Sequence, residues 1–155
     1  MLTRRIQKRV PSAQPITVGV LSGYELRWHK ISIDGSGKCD VFHTGNSQDL
    51  VYGIIYEILA SEKAKLDDAE GLGNGYDEKE ITLETAFGTM NAWVYYATRT
   101  DPSALPYTWY KALVFAGANE HSLPIDYINK LVNVSAKIDS DKERAEKNFA
   151  IANAL

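Results

Sequence analysis

Leu66-Asp67-Asp68-Ala69-Glu70-Gly71, running on into Leu72-Gly73-Asn74-Gly75-Tyr76, marks the point where one kind of structure gives way to another. Ser61 is a fitting N-cap for a short helix through Ala69, and Gly71 is suited to end it because glycine adopts the left-handed conformation without steric cost. The glycines and Asn74 that follow read as a loop up to Tyr76. Glu70 is therefore a carboxylate at the negative end of a helix dipole. If such a carboxylate is also shielded from water its pKa rises, which suits a group that must accept a proton and return it. On spacing alone, a surface acid beside a glycine-rich loop is the simpler explanation.

Toward the N-terminus, Thr3 to Arg9 reads as a short helix with Thr3 as N-cap, stopped by Pro11. Ile16 to Ile33 is rich in β-branched and aromatic residues, and Val18, Val20, Tyr24, Leu26 and Trp28 partly alternate with small or polar neighbours. Gly19 and Gly23 interrupt that run and predict a bulge or bend. Asp34-Gly35-Ser36-Gly37 is a turn, Lys38 to Thr44 a further strand, and the apolar density of Leu50 to Leu59 predicts a buried strand.

Toward the C-terminus, Glu80 to Ala86 and Asn91 to Thr98 read as a hairpin turning at Gly88-Thr89. Trp109 to Ala118 has helical spacing, and Leu123-Pro124 opens another helix. Ser140 with Glu143 reads as a capping box for a last helix that carries Ala145, Phe149 and Ala152 on one face. Strands first and helices last predict an α+β domain over residues 1–155, with a mixed, barrel-like sheet and helices against it.

The chain has 155 residues, enough for one domain, and its 45% hydrophobic and 24% charged residues are ordinary for a globular protein. No apolar run approaches the ~20 residues that span a bilayer, and no apolar stretch follows the basic residues at the N-terminus. A single cysteine, Cys39, has no internal disulfide partner. Together these favour the cytoplasm, without a membrane partner. A net charge of −3 argues against a dedicated nucleic-acid binder. The one basic cluster, Arg4, Arg5, Lys8 and Arg9, reads as the solvated face of the first helix, with phosphate binding as the lesser reading. The apolar content permits a homodimer.

His29, His43 and His121 show no metal-ligand spacing, so neither a metal nor another cofactor is expected. Cys39 reads as a small buried hydrophobe in a strand. The tyrosines and tryptophans fall mostly at strand spacing, where packing is the default explanation. No G-x-S-x-G, P-loop or dinucleotide-binding fingerprint is present.

The segment from Leu66 to Gly71 resembles the L-D-x-x-E-G signature of the γ-glutamylcyclotransferases, a family that includes the AIG2-like proteins. The resemblance extends along the chain, roughly Met1 to Leu131. Leu2-Thr3-Arg4-Arg5-Ile6 with Pro11-Ser12-Ala13 is similar to the family's first helix and the turn after it. Gly23-Tyr24-Glu25-Leu26 and Val51-Tyr52-Gly53-Ile54-Ile55-Tyr56 resemble its central strands. Tyr110, Gly117-Ala118, Leu123-Pro124 and Tyr127 resemble its C-terminal helical region. Each motif is short, and their shared order and spacing carry the specificity.

The resemblance implies an enzyme that cleaves a γ-glutamyl amide by internal attack, giving 5-oxoproline and a free amine or amino acid. It implies Glu70 as the one catalytic acid/base and a small γ-glutamyl compound as substrate. Tyr76 and Tyr110 would form the pocket wall, a hydroxyl positioning Glu70 or the substrate, with Gly71, Met1 and Leu2 also beside it. Asp67 would pair locally. Family members carry a strand ending in Y-G-S-N before the first helix, and Met1 stands where the Leu or Met after that motif belongs. The expectation is a natural chain that starts upstream, adding the first strand and the substrate loop. The competing expectation is a non-catalytic module of the same fold that binds a γ-glutamyl metabolite or a protein.

Overall fold

The computed structural model describes residues 1–154. Its elements are α1 (Thr3–Gln7), β1 (Gln14–Ser22), β2 (Tyr24–Ile31), β3 (Gly37–His43), β4 (Leu50–Glu57), α2 (Lys63–Glu70) after a 3₁₀ turn at Ala60–Glu62, β5 (Tyr76–Thr85), β6 (Gly88–Ala97), α3 (Thr108–Glu120), α4 (Ile125–Val132) and α5 (Lys142–Asn153). The strands form a four-stranded sheet in the order β4-β1-β5-β6 and a two-stranded sheet β2-β3. Every ladder among them is antiparallel. The architecture is α+β and barrel-like without closing into a barrel. The sheet expected to be mixed is antiparallel because each neighbouring pair of strands runs in opposite directions.

The β5-β6 hairpin pairs Tyr76 with Ala97 at one end and Thr85 with Gly88 at the other. Ala86 and Phe87 make its turn, two residues earlier than Gly88-Thr89, and Gly88 closes it at φ 97°. β1 runs between β4 and β5. Gly19 belongs there for close approach and not for a bulge, since a Cβ on it would stand 2.9 Å from Leu83 Cδ2. Gly23 makes the turn into β2, and the bulges fall instead at Pro15/Thr17 and Arg27/Lys30.

α3 is the central helix. Trp109 and Leu113 meet Leu2, Tyr107 and Ala152, with Ala145 and Phe149 of α5 packed around them. Ala118 meets Leu123, Ile128 and Leu131 of the α4 region. Burying side chains of this size is worth roughly 1.5–3 kcal/mol each. α5 is capped by Asp141, whose side chain accepts the N–H of Arg144 at 3.0 Å, so the expected cap at Ser140 moves by one residue. Thr3 likewise lies inside α1. Its hydroxyl meets Tyr56 and His121 in place of capping the helix.

A separate cluster joins the two short helices. Ile6, Val10 and Ala13 are buried together, with Leu66 of α2 and Tyr56 and Ile58 packed against them. The turn at Pro11-Ser12-Ala13 is pinned to the start of α2: Ser12 N–H donates to Glu62 Oε2 at 3.0 Å, and Ser12 Oγ accepts the N–H of Leu59 at 3.0 Å. The chain leaving α1 is thereby held beside α2.

Candidate active site

α2 ends at Glu70, and Gly71 takes the left-handed conformation at φ 79°, its N–H reaching the carbonyls of Asp67 and Asp68. Each of the four fixed positions of the signature then has a physical role. Leu66 packs α2 onto α1. Asp67 ion-pairs with Lys63 and accepts the Tyr95 hydroxyl at 2.6 Å, and Lys63 also reaches Glu78 at 2.6 Å. Asp67 is thus a local tie between α2 and the β5-β6 hairpin. Burial alone would raise its carboxyl, but the Lys63 and Tyr95 contacts hold it below the usual carboxylate value. Asp68 and Ala69, the two variable positions, are exposed.

Glu70 is largely enclosed, its side chain 17% exposed, and Arg9 Nη1 lies 2.6 Å from its Oε1. The three arginines of the N-terminal basic cluster are therefore not a solvated face, and only Lys8 is exposed. Arg9 binds Glu70, Arg5 donates to Asn148 Oδ1 at 3.0 Å, and Arg4 donates to the Ala152 carbonyl at 3.2 Å. These residues dock α1 onto α2 and α5. The partners lie 61 to 148 positions away in sequence, which is why charge patterning misses them.

Tyr76 and Tyr110 converge on one residue. The Tyr76 hydroxyl donates to the Cys39 carbonyl at 2.5 Å, while the Tyr110 oxygen accepts the Cys39 N–H at 3.2 Å. Cys39 sits opposite the bulge at Trp28 and His29 in β3. Both phenols are pushed up by burial and stay protonated, and burial pushes the Cys39 thiol up to about 12. Neither hydroxyl bonds to Glu70; Arg9 does.

Of the remaining expected site residues, Gly71 shapes the helix end that presents Glu70. Leu2 is a core residue, 2% exposed, whose backbone crosses α3 at Gly117. The Met1 carbonyl accepts the Tyr56 hydroxyl at 2.8 Å. Burial lowers the Met1 α-ammonium, against the pull of Cys39, Glu120 and Glu70.

The turn at Asp34-Gly35-Ser36-Gly37 does more than reverse the chain. Lys38 Nζ binds Asp34 Oδ2 at 2.8 Å and Ser36 Oγ at 2.6 Å. The same ammonium lies 4.7 Å from the Trp109 ring centroid and 4.8 Å from that of Tyr110. Lys30, at the end of β2, stands over the Tyr76 ring at 4.6 Å. The sequence reading passed over both lysines, although Lys30 continues the i, i+2 spacing of the apolar Leu26 and Trp28.

Among the described residues no three His, Cys, Asp or Glu side chains converge as a metal site. No described helix is long and apolar enough to cross a membrane. An apolar groove of about 310 Å³ lies between α3 and the Val132–Ala136 stretch, lined by Thr108, Lys111, Ala112, Phe115, Val132 and Ala136. It contains no acid, histidine or thiol. Glu70 instead binds the Arg9 guanidinium directly, and its charge is felt by the Tyr76 phenol, the Lys30 ammonium and the Met1 α-ammonium. Such a set can hold a charged ligand and move a proton.

Comparison with known proteins gives a consistent answer. The family model described as the AIG2-like family matches residues 50–131. Gamma-glutamylcyclotransferase of Mus musculus is 31% identical over 143 residues, covering 84% of this chain and 72% of its own. The Bos taurus protein of the same name is 29% identical over 146 residues, covering 86% and 73%. A solved structure titled gamma-glutamyl cyclotransferase superposes with a TM-score of 0.80 at 27% identity, covering 94% of this chain and 92% of that one.

Proposed function

The chain belongs to the AIG2-like family and is a γ-glutamylcyclotransferase-like enzyme, and from that premise we propose that Glu70 is its general acid/base. The substrate is a small γ-glutamyl amino acid or amine; the products are 5-oxoproline and the free amine. The observation that carries the reading is the placement of one carboxylate, Glu70, at a helix end fixed by Gly71 and Arg9.

The reaction explains why one carboxylate is enough. The substrate's α-amine is the nucleophile, and its attack on the γ-carbonyl carbon closes a five-membered ring. The new C–N bond forms within the substrate, and the original amide C–N bond breaks. Holding the two ends together gives effective molarities of about 10⁵ M or more. The α-nitrogen goes from ammonium to lactam N–H and so sheds two protons. Loss of the first to solvent frees its lone pair, and the second must pass to the departing nitrogen, which leaves as the neutral amine and then takes up a proton from solvent. Glu70 takes that second proton from the attacking nitrogen and delivers it to the departing one, help worth roughly 10²–10⁴-fold. Tyr76 and Tyr110 act indirectly: by holding both backbone groups of Cys39 they fix the strand beside the substrate.

The test is release of 5-oxoproline from γ-glutamyl-alanine, γ-glutamyl-lysine and glutathione. It is run on the 155-residue chain and on a form extended upstream to any encoded Y-G-S-N segment. Release by either form supports the enzyme reading. Silence from both, with γ-glutamyl compounds still bound, overturns it in favour of a non-catalytic binding module.

A further inference from the structure

Lys30 is 8% exposed, yet its ammonium has no hydrogen-bond or ion-pair partner among the described residues. The ammonium keeps some contact with water, since Nζ is not among the fully enclosed side-chain atoms without a partner, and so it is open to a ligand. The nearby turn shows the contrast. Its one carboxylate, Asp34, is committed to Lys38 at 2.8 Å, and Ser36 completes that ammonium's contacts. Lys30 is left with the face of Tyr76, a cation–π contact that offsets part of the desolvation.

The surroundings place this ammonium at the site. Tyr76 is the residue whose hydroxyl holds the Cys39 carbonyl. Gly75, next to it in the loop that follows Glu70, is the wall on the other side: a Cβ there would stand 3.1 Å from Lys30 Cε and 3.3 Å from Nζ. Asp34 and Glu70 both attract Lys30 without bonding to it, while burial lowers its affinity for the proton. A side chain on residue 75 would crowd the ammonium, and glycine leaves it free to take a ligand.

Resting on the cyclotransferase reading, we infer that Lys30 is a substrate anchor: its ammonium binds a carboxylate of the γ-glutamyl compound. An ammonium offers three donors and a compact charge, the complement of a carboxylate. The substrate has two sources of that group, the α-carboxylate of the glutamyl unit and the carboxylate of a departing amino acid. 5-Oxoproline keeps the first, and the released amino acid takes the second away.

The test uses Lys30→Met, which keeps the apolar stem on Tyr76 and removes the charge. KM and kcat are measured with γ-glutamyl-alanine and γ-glutamyl-ethylamine, and the dissociation constant of 5-oxoproline by calorimetry. A charge-assisted contact predicts a rise in KM of at least about tenfold with kcat nearly unchanged. A rise for both substrates, with weaker 5-oxoproline binding, assigns the glutamyl carboxylate. A rise for γ-glutamyl-alanine alone assigns the departing one. Unchanged KM and unchanged binding, or a fall in kcat alone, overturns the inference and leaves the cyclotransferase reading standing. Lys30-dependent binding without turnover does the reverse. Should Lys30→Met not fold, the wild-type protein decides through two blocked analogues, the α-carboxamide and the leaving-group methyl ester. One of them must bind at least about tenfold more weakly than its parent; equal affinity for both overturns the inference.

Discussion

Arg9 Nη1 lies 2.6 Å from Glu70 Oε1, and this contact joins the stretch after α1 to the last residue of α2. It links the two motifs at the N-terminal half of the chain. Ile6 and Leu66 bring the helices together in the core, Ser12 locks the turn, and the ion pair then orients the carboxylate.

Removing this guanidinium should damage the reaction more than the fold. Arg9→Met is expected to lower kcat about 10–100-fold, since a misdirected proton carrier loses most of its general acid/base contribution. The melting temperature should move little, because partly exposed ion pairs contribute only about 0–1 kcal/mol. Arg9→Lys should recover part of kcat by restoring the charge without the guanidinium geometry. Steady-state kinetics beside a melting curve checks this: loss of stability matching the loss of kcat would make Arg9 merely structural.

The tie between α2 and the hairpin makes a second prediction. Tyr95→Phe removes the hydroxyl that reaches Asp67 and leaves the Lys63 contact in place. The cost should be about 1–2 kcal/mol, the worth of a hydrogen bond to a charged group, read by denaturant unfolding. An effect within error would mean that Lys63 alone holds the helix.

Acid should loosen the C-terminal helix through Asp139. Arg144 binds this carboxylate through Nε and Nη2 at 2.7 and 2.6 Å, and Trp109 Nε1 donates to it at 2.7 Å. Arg144 above all, against the opposing effect of burial, holds the carboxyl well below its usual range. A depressed folded-state pKa means the stabilisation is present above the unfolded value of about 4 and lost as pH falls below it. Wild-type unfolding free energy should therefore decline between about pH 4 and 2. Asp139→Asn should be less stable at pH 7 and show a shallower decline. Parallel pH profiles for the two proteins would contradict this origin.

Gly117 should tolerate no side chain. A Cβ there would stand 2.7 Å from Leu2 N and 2.9 Å from Met1 C, both backbone atoms that cannot rotate away. Gly117→Ala gains about 1 kcal/mol of helix propensity, but forcing the N-terminal segment off α3 should cost roughly 1–3 kcal/mol. Thermal unfolding should show a net loss, and an unchanged or raised midpoint would refute the close approach.

The order of elements was legible because it rests on local signals. Gly71 ends α2 as glycine does, Gly23 and Gly88 turn the chain where glycine was needed, and the apolar run before Glu57 forms β4. Glu70 stood out only by family resemblance, since position in a helix says nothing of what faces it. What stayed hidden depends on distant contacts. Arg9 looked like one charge among four because Glu70 lies 61 residues away. Lys30 drew no notice because nothing local shows that Tyr76 and Gly75 lie against it. The tyrosine hydroxyls pointed to Cys39 and not to Glu70, a matter of strand placement that no motif encodes.

The most direct measurement is 5-oxoproline release by Glu70→Gln beside the wild-type protein, in the form that turns over γ-glutamyl-alanine, with melting curves for both. Gln keeps the size of the side chain and removes its ability to take a proton. The account predicts a fall in kcat of at least about 10²-fold with the melting temperature nearly unchanged. Retention of kcat within a few-fold, or a collapse of stability that accounts for the loss, would contradict Glu70 as the proton carrier.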